Sequence, residues 1–176
     1  MTAVLNIPQP AGETLTKPQV SHNGFQASAK LAAALQAVNV DLIALSLVGK
    51  QAHWNLVGPG FKTLHEGLDD IINIARDGSD EVAERMRAVW ATPDGRPSVV
   101  AAETTIKEFP QGEISVEEAA KLTVEAIYAT VATMRRVHDT VDEEDPVSVG
   151  IIEDLTAQLE QQAWFVGADL RTPQTR

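Results

Sequence analysis

Cysteine is absent from the 176 residues, which excludes disulfide frameworks, thiolate zinc sites and cysteine nucleophiles together. Any metal ion must therefore be held by His, Asp or Glu. Basic residues are scarce as well. Fourteen Lys and Arg stand against 25 Asp and Glu, a formal charge of −11 that repels polyphosphate backbones and attracts cations. Nucleic acid is thus a poor expected partner. The sequence also reads as lacking an apolar run long enough to span a bilayer. Its start, MTAVLNIPQPAGETLTK, lacks the basic-then-apolar order of a secretion signal. A cytoplasmic protein without a membrane contact is the expectation.

The chain suffices for one domain with a full core, and its 44% hydrophobic content fits a globular fold. Residues 1–22 hold three prolines and little periodic apolar content, and read as a flexible tail. From Asn23 the pattern changes. Leu31, Leu35, Val38, Leu42 and Leu45 recur at spacings of four and three, predicting a helix that runs to about Leu56. Gly58-Pro59-Gly60 stops it. A second helix carries Phe61, Leu64, Leu68, Ile71, Ile72 and Ala75 on one stripe, extended by Val82, Met86 and Val89, with Gly78 as a point of kink or break.

Turn signals at Thr92-Pro93-Asp94-Gly95-Arg96-Pro97 and Pro110-Gln111-Gly112 flank a crossover that has room for one or two helical turns. Ser115 with Glu118 forms a capping box that opens a third long helix, ending near Val141 in the acidic loop Asp142-Glu143-Glu144-Asp145. Pro146 suits the first position of a fourth, lined by Ile151, Leu155, Leu159 and Val166 and closed by Thr172-Pro173. The expected class is all-α: a four-helix bundle over residues 23–171, with a short helix in the crossover between its second and third helices and a short tail at 172–176.

The stretch KQAHWNLVGPGFKTLHEGLDD places polar, titratable groups inside an apolar helical pattern. Burying them is costly unless something pairs with them, and a metal ion is one such partner. The candidate ligands are His53, His65 and Asp69, then Asp80 and Glu84 in DEVAER. His65 and Asp69 are four residues apart, as are Asp80 and Glu84, so each pair shares a helix face. On a continuous helix, however, Asp69 and Asp80 lie about 16 Å apart. One ion cannot reach both. An antiparallel copy related by a two-fold axis resolves this by laying its Asp80 and Glu84 against the first chain's His65 and Asp69, with His53 reaching in from the neighbouring helix. Mixed imidazole and carboxylate ligands suit iron, manganese or zinc better than calcium or magnesium.

The plainer readings are a hydrogen-bonded core histidine and solvated acidic pairs, and five residues in this pattern outweigh them. Trp54, beside His53, reads either as core packing or as a redox partner of the metal. His22 and His138 read as surface residues. The acids Asp142, Glu143, Glu144 and Asp145 read as a solvated turn, or as a cation entrance if subunits meet there around a symmetry axis.

The segment QAHWNLVGPGFKTLHEGLD followed by DEVAER resembles the Dps family, the bacterial miniferritins, and the likeness extends from about residue 25 to 170, including Trp164-Phe165. The resemblance implies a ferritin-like bundle assembled into a hollow dodecamer with ferroxidase sites at its two-fold interfaces. His53, His65 and Asp69 would come from one subunit, and Asp80 and Glu84 from its partner. It further implies oxidation of ferrous iron by hydrogen peroxide or oxygen and storage of ferric mineral, which limits oxidative stress. The Glu-x-x-His pairs of classical ferritins are absent, which favours the interface site. DNA-binding members resemble polybasic clamps in their tails, whereas Lys17 is the sole Lys or Arg among the first 29 residues here and the end offers Arg171 and Arg176. The competing readings are a nucleoid-compacting protein, a metal-assisted amide or ester hydrolase using the same ligands, and a purely structural bundle.

Overall fold

The computed structural model describes residues 24–173. The tail assigned to residues 1–22, with Lys17 and His22, lies outside the described residues, as do residues 174–176. Four long helices form the bundle: α1 (Ala29–Asn55), α2 (Phe61–Ala88), α4 (Val116–Glu144) and α5 (Pro146–Ala168). A one-to-two-turn helix, α3 (Pro97–Glu103), lies in the crossover as the turn signals predict. The class is the expected one, an all-α four-helix bundle with a short helix in its crossover. α1 packs against α2 and α4, α4 against α5, and α2 against α5.

Most residues of the stripes read from spacing are buried; Phe61 is exposed, contrary to its place on the second stripe, and Ile151 and Val166 are partly buried. Leu31, Val38, Leu42 and Leu45 on α1, Leu68, Ile71 and Ala75 on α2, Ile127 and Met134 on α4, and Leu159 on α5 are sealed from solvent. Each large aliphatic side chain so buried contributes about 1.5–3 kcal/mol. α1 is apolar on more than one stripe, since Val40, Ala44 and Ala52 are buried too. By length and composition it could cross a bilayer, contrary to the sequence expectation, but 61% of its apolar window is buried inside the bundle. Its hydrophobicity follows from contact with two neighbouring helices.

Two further features differ from the expectation. After Asn55 the chain is extended, and β1 (Leu56–Val57) pairs in parallel with β2 (Ile114–Ser115), tying the α1–α2 turn to the start of α4. The turn itself needs glycine at both ends, with Gly58 at φ 116° and Gly60 at φ 83°. The run Asp142-Glu143-Glu144 is not a loop: α4 continues through it, and Asp145 alone joins α4 to α5.

α2 runs unbroken through Gly78. That glycine is there for proximity, because a Cβ on it would stand 2.6 Å from Leu155 Cδ2 on α5. Gly49 plays the same part between α1 and α2, where a Cβ would meet Ile72 Cγ1 at 2.7 Å. The crossover is pinned by a buried carboxylate that spacing alone could not reveal. Asp41 accepts from Thr104 Oγ1 at 2.8 Å, Thr105 N at 2.7 Å and Thr105 Oγ1 at 2.7 Å.

Gly78→Ala opposes two effects: up to about 1 kcal/mol gained in helix propensity, and about 1–3 kcal/mol lost to overpacking. Leu155 is buried and cannot swing aside freely, so the loss wins. The variant is expected to melt about 2–5 °C lower in thermal unfolding, with part of the loss recovered by adding Leu155→Val.

Candidate metal centre

The turn between α1 and α2 brings His53, near the end of one helix, over His65, one turn into the next. Their rings stack with centroids 3.6 Å apart and planes inclined by 25°. Each ring also bonds the other residue's backbone: His53 Nδ1 lies 2.9 Å from the His65 carbonyl oxygen, and His65 Nδ1 lies 3.0 Å from that of His53. A carbonyl oxygen only accepts, so each Nδ1 carries the hydrogen and each neutral ring keeps a lone pair on Nε2. Fixing the tautomer from behind in this way is how ligating histidines are usually oriented. Phe61 stacks on the outer side of His65 at 5.0 Å.

Asp69 joins this pair one helical turn beyond His65, with its Oδ1 3.6 Å from His53 Nδ1. The same Oδ1 accepts from Lys50 Nζ at 2.6 Å. The hydrogen bond from the Lys50 ammonium holds the Asp69 carboxyl below the usual carboxylate range against a partial desolvation that opposes it. Lys50 was passed over in the sequence, although it stands three residues before His53, on the same face of α1.

Asp80 and Glu84 do not join the group. Both are exposed on the far half of α2. Among the described residues of the single chain, no three or more such side chains converge as a metal site. The structure thus brings together His53, His65 and Asp69 and leaves Asp80 and Glu84 apart on the same continuous helix. Trp54 does not pack in the chain's own core, for 71% of it is exposed beside His53. Leu47, one turn before Lys50, is 59% exposed, and Phe61 is 43% exposed. An apolar surface therefore surrounds the histidine pair.

The acids of the supposed entrance turn are largely engaged. Glu143 lies 3.7 Å from Lys30 Nζ. Glu144 accepts from Ser28 N at 2.7 Å and Ser28 Oγ at 2.6 Å, tying the end of α4 to the start of α1. Asp145 is buried and accepts from Arg85 Nη2 at 2.7 Å and from the Ser148 hydroxyl. Asp142 and Glu143 remain the solvent-facing pair. His138 sits on the surface as expected, its two ring nitrogens near Asp139 at 3.1 Å and Glu153 at 3.0 Å.

Comparison with known proteins follows this geometry. The ferritin-like domain family matches residues 32–174. The chain is 34% identical over 141 residues to the fine tangled pili major subunit of Haemophilus ducreyi, covering 80% of this chain and 74% of that protein. It is 31% identical over 171 residues to DNA protection during starvation protein 2 of Deinococcus radiodurans, covering 96% of this chain and 68% of that one. Among solved structures, Dps from Microbacterium arborescens in its high iron form superposes with a TM-score of 0.77 at 32% identity, covering 84% of this chain and 99% of the other. The chain belongs to the Dps family of ferritin-like proteins.

The Arg85–Asp145 pair yields a pH prediction. Burial alone would raise the Asp145 carboxyl, but Ser148 and Arg85 outweigh it and hold the group below its ordinary value. A folded-state value below the unfolded one gives stability that is whole above the ordinary range near ~4 and is lost as pH falls through the lowered value. Asp145→Asn is expected to be less stable at neutral pH by about 2–3 kcal/mol, through the charge left on Arg85. Its stability should also fall less steeply than wild type below pH ~4 in denaturant titrations.

Proposed function

We propose that this chain is an iron-oxidising and iron-storing miniferritin, a ferroxidase that takes ferrous iron as substrate at sites shared between two subunits. His53, His65 and Asp69 would bind from one subunit, and Asp80 and Glu84 of the partner subunit would complete the ligand set. The observation that carries this reading is the reciprocal bonding of His53 and His65 through Nδ1, which leaves the Nε2 of each stacked ring free to ligate, with Asp69 3.6 Å from His53 Nδ1. The exposed Leu47, Trp54 and Phe61 around that pair support a second copy as its cover, since large apolar side chains gain from leaving water.

The chemistry follows from the donor set. Neutral imidazoles and carboxylates accept ferrous iron, and the negative oxygens stabilise the ferric product more than the ferrous substrate. Two ferrous ions supply the two electrons that one hydrogen peroxide takes to become water; oxygen is the alternative acceptor. Trp54, next to His53 and outside the ligand set, is a candidate electron donor when only one iron is bound. Ferric product would then collect as mineral inside a dodecameric shell in the cytoplasm, away from bulk peroxide. Asp142 and Glu143 are the acids of the 142–145 run best disposed to draw cations toward an entrance, with Glu144 and Asp145 serving the fold.

DNA binding is not part of the reading, although several relatives are named for DNA protection. The net charge of −11 opposes it. At about 0.15 M salt and neutral pH, a gel-shift is expected to show no low-micromolar complex.

Sharing is testable by mixing. Assemblies of His65→Ala/Asp69→Ala alone, and of Asp80→Ala/Glu84→Ala alone, should each lose fast peroxide-dependent iron oxidation. Co-assembled in equal amounts, they should regain about a quarter of the wild-type rate. Half of random dimers are mixed, and each mixed dimer restores one of its two sites. No recovery in properly mixed assemblies would place all ligands in one chain or none.

A further inference from the structure

We infer that Lys50 is the resident counter-ion of this half-site, a tethered cation that occupies Asp69 until a divalent metal displaces it. The inference rests on the reading of His53, His65 and Asp69 as metal ligands. Its own support is the contact at Asp69: Nζ lies 2.6 Å from Oδ1, the oxygen that also faces His53. The Lys50 side chain is 21% exposed, so it is largely shielded from solvent and its ammonium rests on Asp69. An ion that bonds Asp69 through Oδ1, the oxygen facing His53, must push that ammonium away, and four rotatable bonds let it go without moving the helix.

Three consequences follow from competition for one oxygen. A monovalent ion gains little by replacing an ammonium already in contact, so the site ignores sodium and potassium. A divalent ion wins, but at a higher concentration than an unoccupied carboxylate would need, because the binding-competent state must first be freed of Lys50. When the ion leaves, the ammonium returns and the carboxylate is not left unpaired beside the two rings. The penalty is the same for any divalent ion, so Lys50 sets how readily the site fills and not which metal fills it.

The test is Co²⁺ titration of the assembled full-length protein, followed by its visible absorption, which reports ligation without any turnover. Lys50→Met keeps the stem and removes the charge, and should bind Co²⁺ about two- to fivefold more tightly than wild type, the scale of one partly exposed ion pair. Lys50→Arg, whose planar fork grips a carboxylate with two bonds, should bind it more weakly than wild type. Lys50→Gln serves in place of Lys50→Met if that variant does not assemble. His65→Ala is the site control. If its Co²⁺ bands vanish while affinity is indifferent to residue 50, or falls in Lys50→Met, the counter-ion inference is overturned and the site stands. If the bands persist in His65→Ala, or never form in wild type, the site reading fails and the inference goes with it.

Discussion

The constraint on which the rest depends is the continuity of α2. A continuous α-helix rises about 1.5 Å per residue, so side chains eleven positions apart cannot meet however flexible they are. α2 runs from Phe61 to Ala88 without a break and carries both sets of donors, His65 with Asp69 near its start and Asp80 with Glu84 near its end. Gly78 lies between them and lets α2 pack closely on Leu155 of α5, and the helix continues through it without a break. A single copy thus holds two incomplete donor sets at fixed separation. On the proposed reading, completion falls to a second copy running the opposite way.

What was legible in the sequence is what period and local spacing encode. The stripes of Leu31 to Leu45, Leu64 to Ala75 and Leu155 to Leu159 repeat every three or four residues, and these residues do form the inner faces of the helices, with Ile151 at the margin of the last. Ser115 and Pro146 mark helix starts through local bonds and fixed φ, which a short window contains. The proximity of His53, His65 and Asp69 was readable as well, because a tight Gly-Pro-Gly turn folds the first two helices back on each other.

What was not legible depends on contacts between distant parts of the chain. Asp142 to Glu144 resemble a solvated loop by composition, yet Ser28, more than a hundred residues earlier, bonds Glu144 and helps hold the last turn of α4. Asp145 looks like one more surface acid until Arg85 is known to lie against it. Asp41 sits in an apolar helix with no local partner, and only the crossover's return brings Thr104 and Thr105 to it. The bonds that orient the two imidazoles are to backbone carbonyls, groups every residue carries, so no residue type announces them. Lys50 was in plain view, but only the bundle decides whether a long side chain reaches a carboxylate or water.

A site divided between subunits ties chemistry to assembly. The core of one chain is complete by itself, since α1 and α4 are buried along their inner faces without any second copy. The hydrophobic core thus lies within one chain, while iron chemistry, on the proposed reading, needs two. An unpartnered chain offers two imidazoles and a carboxylate already held by Lys50, a weak ligand set for ferrous iron. Once paired, on the same reading, these three ligands would be joined at each site by Asp80 and Glu84 of the partner subunit, and the added negative charge would shift the competition at Asp69 from the ammonium toward the metal. Oxidation would then be confined to chains already built into the shell that receives the ferric product.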